Sequence, residues 1–361
     1  MNRFLENHHS FMQMALELAK KGYGSVSPNP LVGCVVVKNG KVIGEGYHEK
    51  FGSEHAEVNA LRNCVESPQG ASLYVNLEPC SIYGKTPPCT KLIIENSIDS
   101  VYIGTKDLNP EINGNGINEL KKHGIKVEYD ILHDKCYMLN KGFFKWIETK
   151  RPWVIAKVAQ TYDGFMGIDS NNSIWLSGEQ SKISTHVLRS QVDSIMVGKQ
   201  TALVDNPSLT VRKVLGNNPI RVIVDTNRTL PLDLKVFTDE KSQTIVLCSL
   251  SKFSDSETSF SKYLGVEEVN GQLNPKDILK TLGKQGITTI LIEGGSKLLE
   301  SFQKYDLIDE IYIYKTEKII KDAKLKNPLK FNDDWHIEEP KDIGEDKLYR
   351  AYKKEKCLQE L

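Results

Sequence analysis

His55-Ala56-Glu57, followed by Pro79-Cys80 and then Pro88-Cys89, governs how the rest of the chain is read. One imidazole and two thiolates make three zinc ligands and leave a fourth tetrahedral position for water, which separates a catalytic site from a closed structural one. Glu57 then fits as the acid/base that moves protons between that water and a substrate nitrogen. Residues i and i+2 of a helix do not face one another, so His55 and Glu57 converge only if a helix starts there and aims its N-terminus at the ion. Phe51-Gly52-Ser53-Glu54 before His55, and Ala56, Ala60 and Leu61 after it, suit such a start. A second His-x-Glu, His336-Ile337-Glu338, is followed only by Cys357 and lacks the cysteine pair. The bland alternative is a surface histidine and two buried structural cysteines.

A chain of 361 residues exceeds what one core usually organises. Two domains are expected, 1–150 and 151–361, with the boundary at Lys150-Arg151-Pro152. The 47 basic and 47 acidic residues cancel, with pI near 7.1. A nucleic-acid binder usually carries a basic face and a high pI, so a polynucleotide partner is disfavoured. Seven cysteines scattered through a long chain do not suggest a disulfide framework. Cys34, Cys64, Cys136, Cys248 and Cys357 read as free thiols of a reducing compartment. No apolar run reaches the length of a membrane span, and the N-terminus has no signal-peptide core. The expectation is a cytoplasmic protein with no membrane partner; a homo-oligomer is left open.

The first half alternates strand and helix signals. A helix over 10–21 leads to the turn Ser27-Pro28-Asn29-Pro30, then to strands 33–37 and 42–46 across Asn39-Gly40, a strong hairpin turn. Helices are expected from His55 and from Cys89, strands at 73–77 and 101–104, a helix at 116–123 and one continuous helix over 133–150. This predicts a mixed sheet covered by helices on both faces, with His55 and the cysteines where open α/β sheets place ligands. A second α/β series follows, with strands at 153–159, 194–197, 220–225, 244–248, 289–293 and 311–314.

That second half has neither a Walker loop nor Gly-x-Gly-x-x-Gly. Glu293-Gly294-Gly295-Ser296 stands between an apolar strand and the helix 297–303, where glycines and free helix N–H groups admit a phosphate; a plain tight turn is the competing reading. Gly198-Lys199-Gln200-Thr201 through Asp205-Asn206-Pro207 and Leu209-Thr210-Val211-Arg212 forms another strand-plus-turn cluster. Arg212 and Arg189 suit an anionic substrate, because Arg pairs well with phosphate, although most single Arg residues on a helix are solvated surface.

Zinc deaminases of nucleobases share the His-x-Glu and paired-cysteine pattern, usually ending Pro-Cys-x-x-Cys; here eight residues separate Cys80 from Cys89. Pro28-Asn29-Pro30-Leu31-Val32-Gly33, His55-Ala56-Glu57-Val58, Leu77-Glu78-Pro79-Cys80 and Gly84-Lys85-Thr86-Pro87-Pro88-Cys89 resemble the deaminase half of the bifunctional riboflavin-biosynthesis deaminase/reductase family. Lys157 through Asp163-Gly164, Ser173-Ile174-Trp175, Gly198 through Arg212 and Glu293-Gly294-Gly295 resemble its reductase half. The resemblance implies a cytidine-deaminase-like three-layer α/β/α domain followed by a dihydrofolate-reductase-like α/β domain. It implies zinc and NADPH as cofactors. The implied substrate is a small phosphorylated diaminopyrimidinone, first deaminated and then reduced from ribosyl to ribityl.

By the same resemblance, zinc is held by His55, Cys80 and Cys89, and Glu57 is catalytic. Asn29, His48 and Lys85 bind substrate in the deaminase. Ser173, Arg189, Leu209, Arg212 and Glu293 line the reductase substrate. Ala159, Trp175, Thr201, Asp205, Thr226 and the run Gly295, Ser296, Lys297, Leu298, Leu299, Glu300 and Ser301 line NADPH. Trp175 and Leu209 have plain core as an alternative, and Thr226 a strand-end cap. Three departures from the family pattern stand out: Ile82 replaces a histidine, Thr161-Tyr162-Asp163-Gly164 replaces Ser-Leu-Asp-Gly, and Lys315-Thr316-Glu317-Lys318 replaces Ala-Pro-Lys. Competing readings are a deaminase of RNA, and a deaminase whose second half is a degenerate scaffold or binding module.

Overall fold

A computed structural model describes residues 2–83, 87–168, 174–255 and 260–354, with side chains from residue 7. The chain divides into two compact units, Met1–Lys150 and Arg151–Leu361. Among the described residues, no helix is long and apolar enough to cross a membrane.

The first unit runs α1 (Asn2–Ala19), β1 (Gly33–Lys38), β2 (Lys41–Tyr47), α2 (Ala56–Arg62), β3 (Ser72–Leu77) and α3 (Cys89–Glu95). It continues with β4 (Ser100–Thr105), α4 (Asn115–Lys122), β5 (Lys126–Glu128), α5 (His133–Leu139) and α6 (Lys141–Thr149). The sheet order is β2-β1-β3-β4-β5, antiparallel across β2, β1 and β3 and parallel from β3 to β5. Asn39 and Gly40 both take positive φ, 51° and 74°, as a two-residue hairpin with right-handed strand twist demands.

Side chains alternate across the pleat. Cys34, Val36, Leu73, Val75, Val101 and Ile103 pack on one face beneath Ala60 of α2, Ile93 of α3 and Leu120 of α4. Val35, Val37, Tyr74 and Tyr102 pack on the other, against Met12, Ala15 and Leu16 of α1 and Cys136 of α5. The result is a three-layer α/β/α unit. Gly44 and Gly46 let α2 lie directly on β2: a Cβ at either would come within 2.4 Å of Ala60 backbone atoms.

One expectation fails here. The helix over 133–150 is broken at Asn140, which is buried and whose side chain leaves the helix path to bind another loop.

The second unit comprises β6 (Trp153–Gln160), β7 (Phe165–Gly167), α7 (Glu179–Ser190), β8 (Ser194–Gly198), α8 (Lys199–Asp205), β9 (Ile220–Val224), α9 (Lys235–Thr238) and β10 (Thr244–Ser249). Then come β11 (Ser261–Val266), β12 (Glu268–Val269), β13 (Gln272–Leu273), α10 (Pro275–Lys284), β14 (Thr289–Glu293), α11 (Ser296–Lys304) and β15 (Glu310–Thr316). Last are β16 (Leu325–Lys326), β17 (Trp335–Ile337), β18 (Lys341–Ile343) and β19 (Asp346–Lys353).

The large sheet has the order β11-β10-β9-β8-β14-β6-β15-β19-β17, with β18 also on β19. It is parallel from β11 to β15, and β19 then runs antiparallel. The parallel strands are apolar on both faces, as covered parallel strands must be: Val154, Ala156 and Ile292 pack on one side, Ile155, Val197 and Leu291 on the other. The antiparallel end built from β17, β18 and β19 was not among the expected strands.

A metal-binding triad and a cofactor-sized cleft

His55 caps α2 in extended conformation (φ −74°, ψ 163°), and Cys89 opens α3 behind Pro88. Cys80 follows β3 and receives the Cys89 backbone N–H on its sulfur at 3.4 Å. Two helix starts and one strand end thus bring His55 Nδ1 to 3.3 Å from Cys89 Sγ and 3.5 Å from Cys80 Sγ. The three donor atoms all lie within 4.8 Å of one another. One nitrogen and two sulfurs at such spacing suit a single tetrahedral ion of borderline softness.

The electrostatics match that donor set. Cys80 is pulled well down by the hydrogen bond from Cys89, with His55 assisting, while Cys89, the donor of that contact, is pushed up. His55 is raised to about 9, chiefly by its hydrogen bond to Cys80. Two thiols and an imidazole therefore compete for protons that a cation replaces. Glu57, in the first turn of α2, is 3% exposed, and burial pushes its carboxyl above the ordinary range against the pull of His55.

Beside the triad, His48 Nδ1 faces the Glu54 carbonyl at 2.9 Å, and Asn29 Nδ2 lies 3.0 Å from His48 Nε2. A carbonyl only accepts, so Nδ1 carries the proton and Nε2 accepts from Asn29. His48 stays neutral, with burial pushing its pKa down. The loop bearing Asn29 is pinned by two buried amides. Asn140 accepts Leu31 N–H at 2.8 Å and donates to Leu31 O at 2.9 Å; Asn76 donates to Leu31 O at 2.9 Å and accepts from Gly33 N–H at 2.8 Å. Glu78, just after β3, ties the start of α4 to the segment that bears Cys80, accepting from Gly114 N–H at 3.0 Å and Ile117 N–H at 3.2 Å. Asn76, Glu78 and Asn140 are spread along the sequence without a common spacing, so only the contacts reveal their shared role. Lys85 and Ser173 lie outside the described residues.

The second unit holds a cleft of about 570 Å³ at the C-terminal ends of β8, β9 and β14, within the size range of small-molecule sites. Thr201, Asp205, Thr226, Glu293, Gly295, Ser296, Lys297, Leu298 and Ser301 line it. Gly294 and Gly295 take φ of 91° and 82°, where L side chains are strained, and α11 starts directly after them. A backbone cradle followed by free helix N–H groups suits a dinucleotide's phosphates.

Not every residue of the expected run turns toward the cleft. Leu299 is fully buried in the core and Glu300 is exposed, because successive helical residues are rotated by about 100°. Ala159 pairs with Tyr314 inside the sheet and does not line the cleft. Trp175 is 74% exposed with Lys182 5.3 Å from its ring centre, which excludes plain core and leaves it outside the lining. Its neighbour Ile174 does line it, as do Leu273 of β13 and Pro275 and Ile278 of α10.

Beyond Glu293 lies a charged cluster. Arg189 grips Glu293 through Nε at 2.6 Å and Nη2 at 2.7 Å, with both side chains about nine-tenths buried. Lys157, on β6, adds a cation 5.4 Å from the Tyr314 ring centre, its pKa lowered by burial and held up by Glu293. Arg212 hydrogen-bonds Thr210 Oγ1 at 2.9 Å. Leu209 is 3% exposed and packs in the core, so its side chain serves the loop from beneath. The other His-x-Glu is structural: Glu338 pairs with Arg350.

Two family models match, the cytidine and deoxycytidylate deaminase zinc-binding region over residues 5–105 and the RibD C-terminal domain over 152–323. The chain is 39% identical over 324 residues to riboflavin biosynthesis protein RibD of Actinobacillus pleuropneumoniae, covering 88% of this chain and 86% of that one. It is 40% identical over 313 residues to RibD of Aquifex aeolicus, covering 86% and 87%. The crystal structure of a diaminohydroxyphosphoribosylaminopyrimidine deaminase/5-amino-6-(5-phosphoribosylamino)uracil reductase from Thermotoga maritima superposes with a TM-score of 0.87 at 34% identity, over 97% of this chain and all of that one. A RibD structure from Acinetobacter baumannii gives 0.84 at 32%. These relatives bear out the expected pair of folds, and the chain belongs to the RibD family of bifunctional riboflavin-biosynthesis deaminase/reductases.

Proposed function

We propose that residues 1–150 carry out the deamination and residues 151–361 the reduction, each with its own site. The substrate is 2,5-diamino-6-ribosylamino-4(3H)-pyrimidinone 5′-phosphate, which loses its 2-amino group and then has its ribosyl reduced to ribityl. The observation that carries the reading is the convergence of His55, Cys80 and Cys89 with Glu57 buried beside them.

His55, Cys80 and Cys89 would hold zinc, and the chemistry it would supply there is acidification of a water from about 15.7 to about 7. Glu57 takes a proton from the nucleophile on a carboxylate oxygen and returns it to the departing nitrogen; burial raises its pKa, which favours its holding the proton between the two transfers. Asn29 and His48 orient the pyrimidine, and the Asn76–Asn140 clamp keeps Asn29 in register. The family resemblance gives Lys85 a share in binding the same substrate.

In the second unit, NADPH supplies hydride when bound. Thr201, Asp205, Thr226 and the cleft-lining members of the run, Gly295, Ser296, Lys297, Leu298 and Ser301, hold it. Arg212, Arg189, Glu293 and Ser173 receive the phosphorylated substrate. Three cations against one carboxylate leave the cluster Lys157, Arg189, Arg212 and Glu293 with an excess of positive charge that suits an anion. Both reactions act on a small molecule in the cytoplasm.

Zinc content, ammonia release and NADPH oxidation measured separately on the purified chain test the reading. Stoichiometric zinc with both activities supports it. Cys80→Ala or Cys89→Ala retaining full zinc would mean that the ligands are wrongly named.

A further inference from the structure

We propose that His186 is a positioning residue of the reductase: its ring holds the Arg212 backbone so that the guanidinium stands ready for the substrate's phosphate. This rests on the reading of Arg212 as a substrate contact. Arg212 N–H donates to His186 Nδ1 at 3.1 Å. A backbone N–H only donates, so Nδ1 must offer its lone pair and the ring is neutral, protonated on Nε2. His186 is 4% exposed, and burial, with Arg189 and Arg212 nearby, depresses its pKa to about 4, so the acceptor persists at neutral pH.

His186 and Arg189 stand three positions apart on α7, on one face of the helix. Both reach the loop that bears Arg212. Arg189 Nη1 donates to Thr210 O at 3.0 Å while Nε and Nη2 are committed to Glu293. Every residue of 209–212 is anchored: Leu209 in the core with φ of 49°, Thr210 by Arg189, Val211 N–H by Asn218 Oδ1 at 2.8 Å, and Arg212 N–H by His186. The segment has no regular secondary structure, so side chains alone supply these partners. Arg212 itself remains exposed, and its hydrogen bond to Thr210 Oγ1 stays within the loop. A rigid support beneath an outward-facing guanidinium is what preorganised anion binding requires.

The experiment compares His186→Leu, His186→Asn and Arg212→Gln in steady-state reduction of the deaminated substrate, with inorganic phosphate as a competing anion. Asparagine places Oδ1 close to where Nδ1 stands, so it restores the acceptor. His186→Leu should raise KM about 10-fold with kcat within about 2-fold, and weaken phosphate inhibition by a similar factor, the pattern of lost binding shared by ground and transition states. His186→Asn should return KM to within about 3-fold of the parent. If His186→Leu does not fold, His186→Gln, which displaces the acceptor by one bond, gives the same readout. An unchanged KM in His186→Leu while Arg212→Gln raises it overturns the positioning role alone. An unchanged KM in Arg212→Gln overturns the substrate contact and the inference together. Failure of His186→Asn to improve on His186→Leu also overturns the inference, because the acceptor would then not matter.

Discussion

The metal pocket of the first unit and the cleft of the second are built on opposite principles. The first concentrates its chemistry in four side chains at two helix starts and one strand end, three of them metal donors and the fourth a proton carrier. The second spreads its contacts along the ends of three parallel strands and two following helices, and much of what it offers is backbone: two glycines at positive φ and the first N–H groups of α11. Removing one member of a concentrated set removes a ligand or a proton carrier outright. Removing one member of a distributed set weakens binding by a fraction.

The sharpest way to break the comparison is at the concentrated site. Cys80→Ala and Cys89→Ala should lose zinc and deamination together, read by metal analysis and ammonia release. Glu57→Gln should keep its zinc and lose about 100- to 10,000-fold in deamination rate, the usual size of general acid–base catalysis. In all three variants, NADPH oxidation on already deaminated substrate should stay near normal; parallel loss of both activities would show that the partition at residue 150 is wrong. Arg212→Gln comes next, with reductase KM raised roughly 10- to 100-fold, as for a hydrogen bond to a charged group. Gly295→Val should weaken NADPH about 10-fold by calorimetry while deamination proceeds. A Cβ there meets nothing closer than Leu298 Cβ at 3.5 Å, so the expected loss comes from forcing a β-branched residue to φ near 82° and crowding the cradle. No change in affinity would remove the turn from the cofactor site.

The smallest expected effect is a pH slope. His186 titrates at about 4 in the folded chain against an ordinary 6.5. The unfolded chain binds the extra proton between these values, so this contribution is complete above about 6.5 and is lost as pH falls toward about 4. Arg189, Arg212 and Lys213 disfavour the proton and Glu293 favours it. Melting temperature followed from pH 7 to 4 should fall less steeply in His186→Asn than in the parent chain.

The same contrast explains what could be read from the sequence. Metal donors are few residue types with strict spacing, so His55, Cys80 and Cys89 stand out from a string of letters. The strand alternation at 33–37 and the Asn39-Gly40 turn are local signals too. Leu299 and Glu300 were drawn into the cofactor run because a resemblance carries a continuous stretch, whereas a helix shows the cleft only one face. Asn140 hid inside a helical pattern because the apolar spacing around it continues, and the break is tied to the two hydrogen bonds it makes with Leu31, 109 positions away. His186 reads as one polar residue among several on α7, and only its contact with Arg212 distinguishes it. β17 and β18 are three residues each and mostly exposed, and the eight residues of β19 are largely polar and charged, so the antiparallel end carries little apolar periodicity to detect.

That long-range clasp on Leu31 also dictates an order of events. A chain emerging from the ribosome completes its metal donors once Cys89 is made, and domains generally form from the N-terminus onward. The loop that presents Asn29 has no partner for the Leu31 N–H until Asn140 has followed. Assembly of the three donors can therefore precede the final pinning of the Leu31 loop, and a nascent first unit would pass through a stage in which Asn76 alone of the two amides holds that loop.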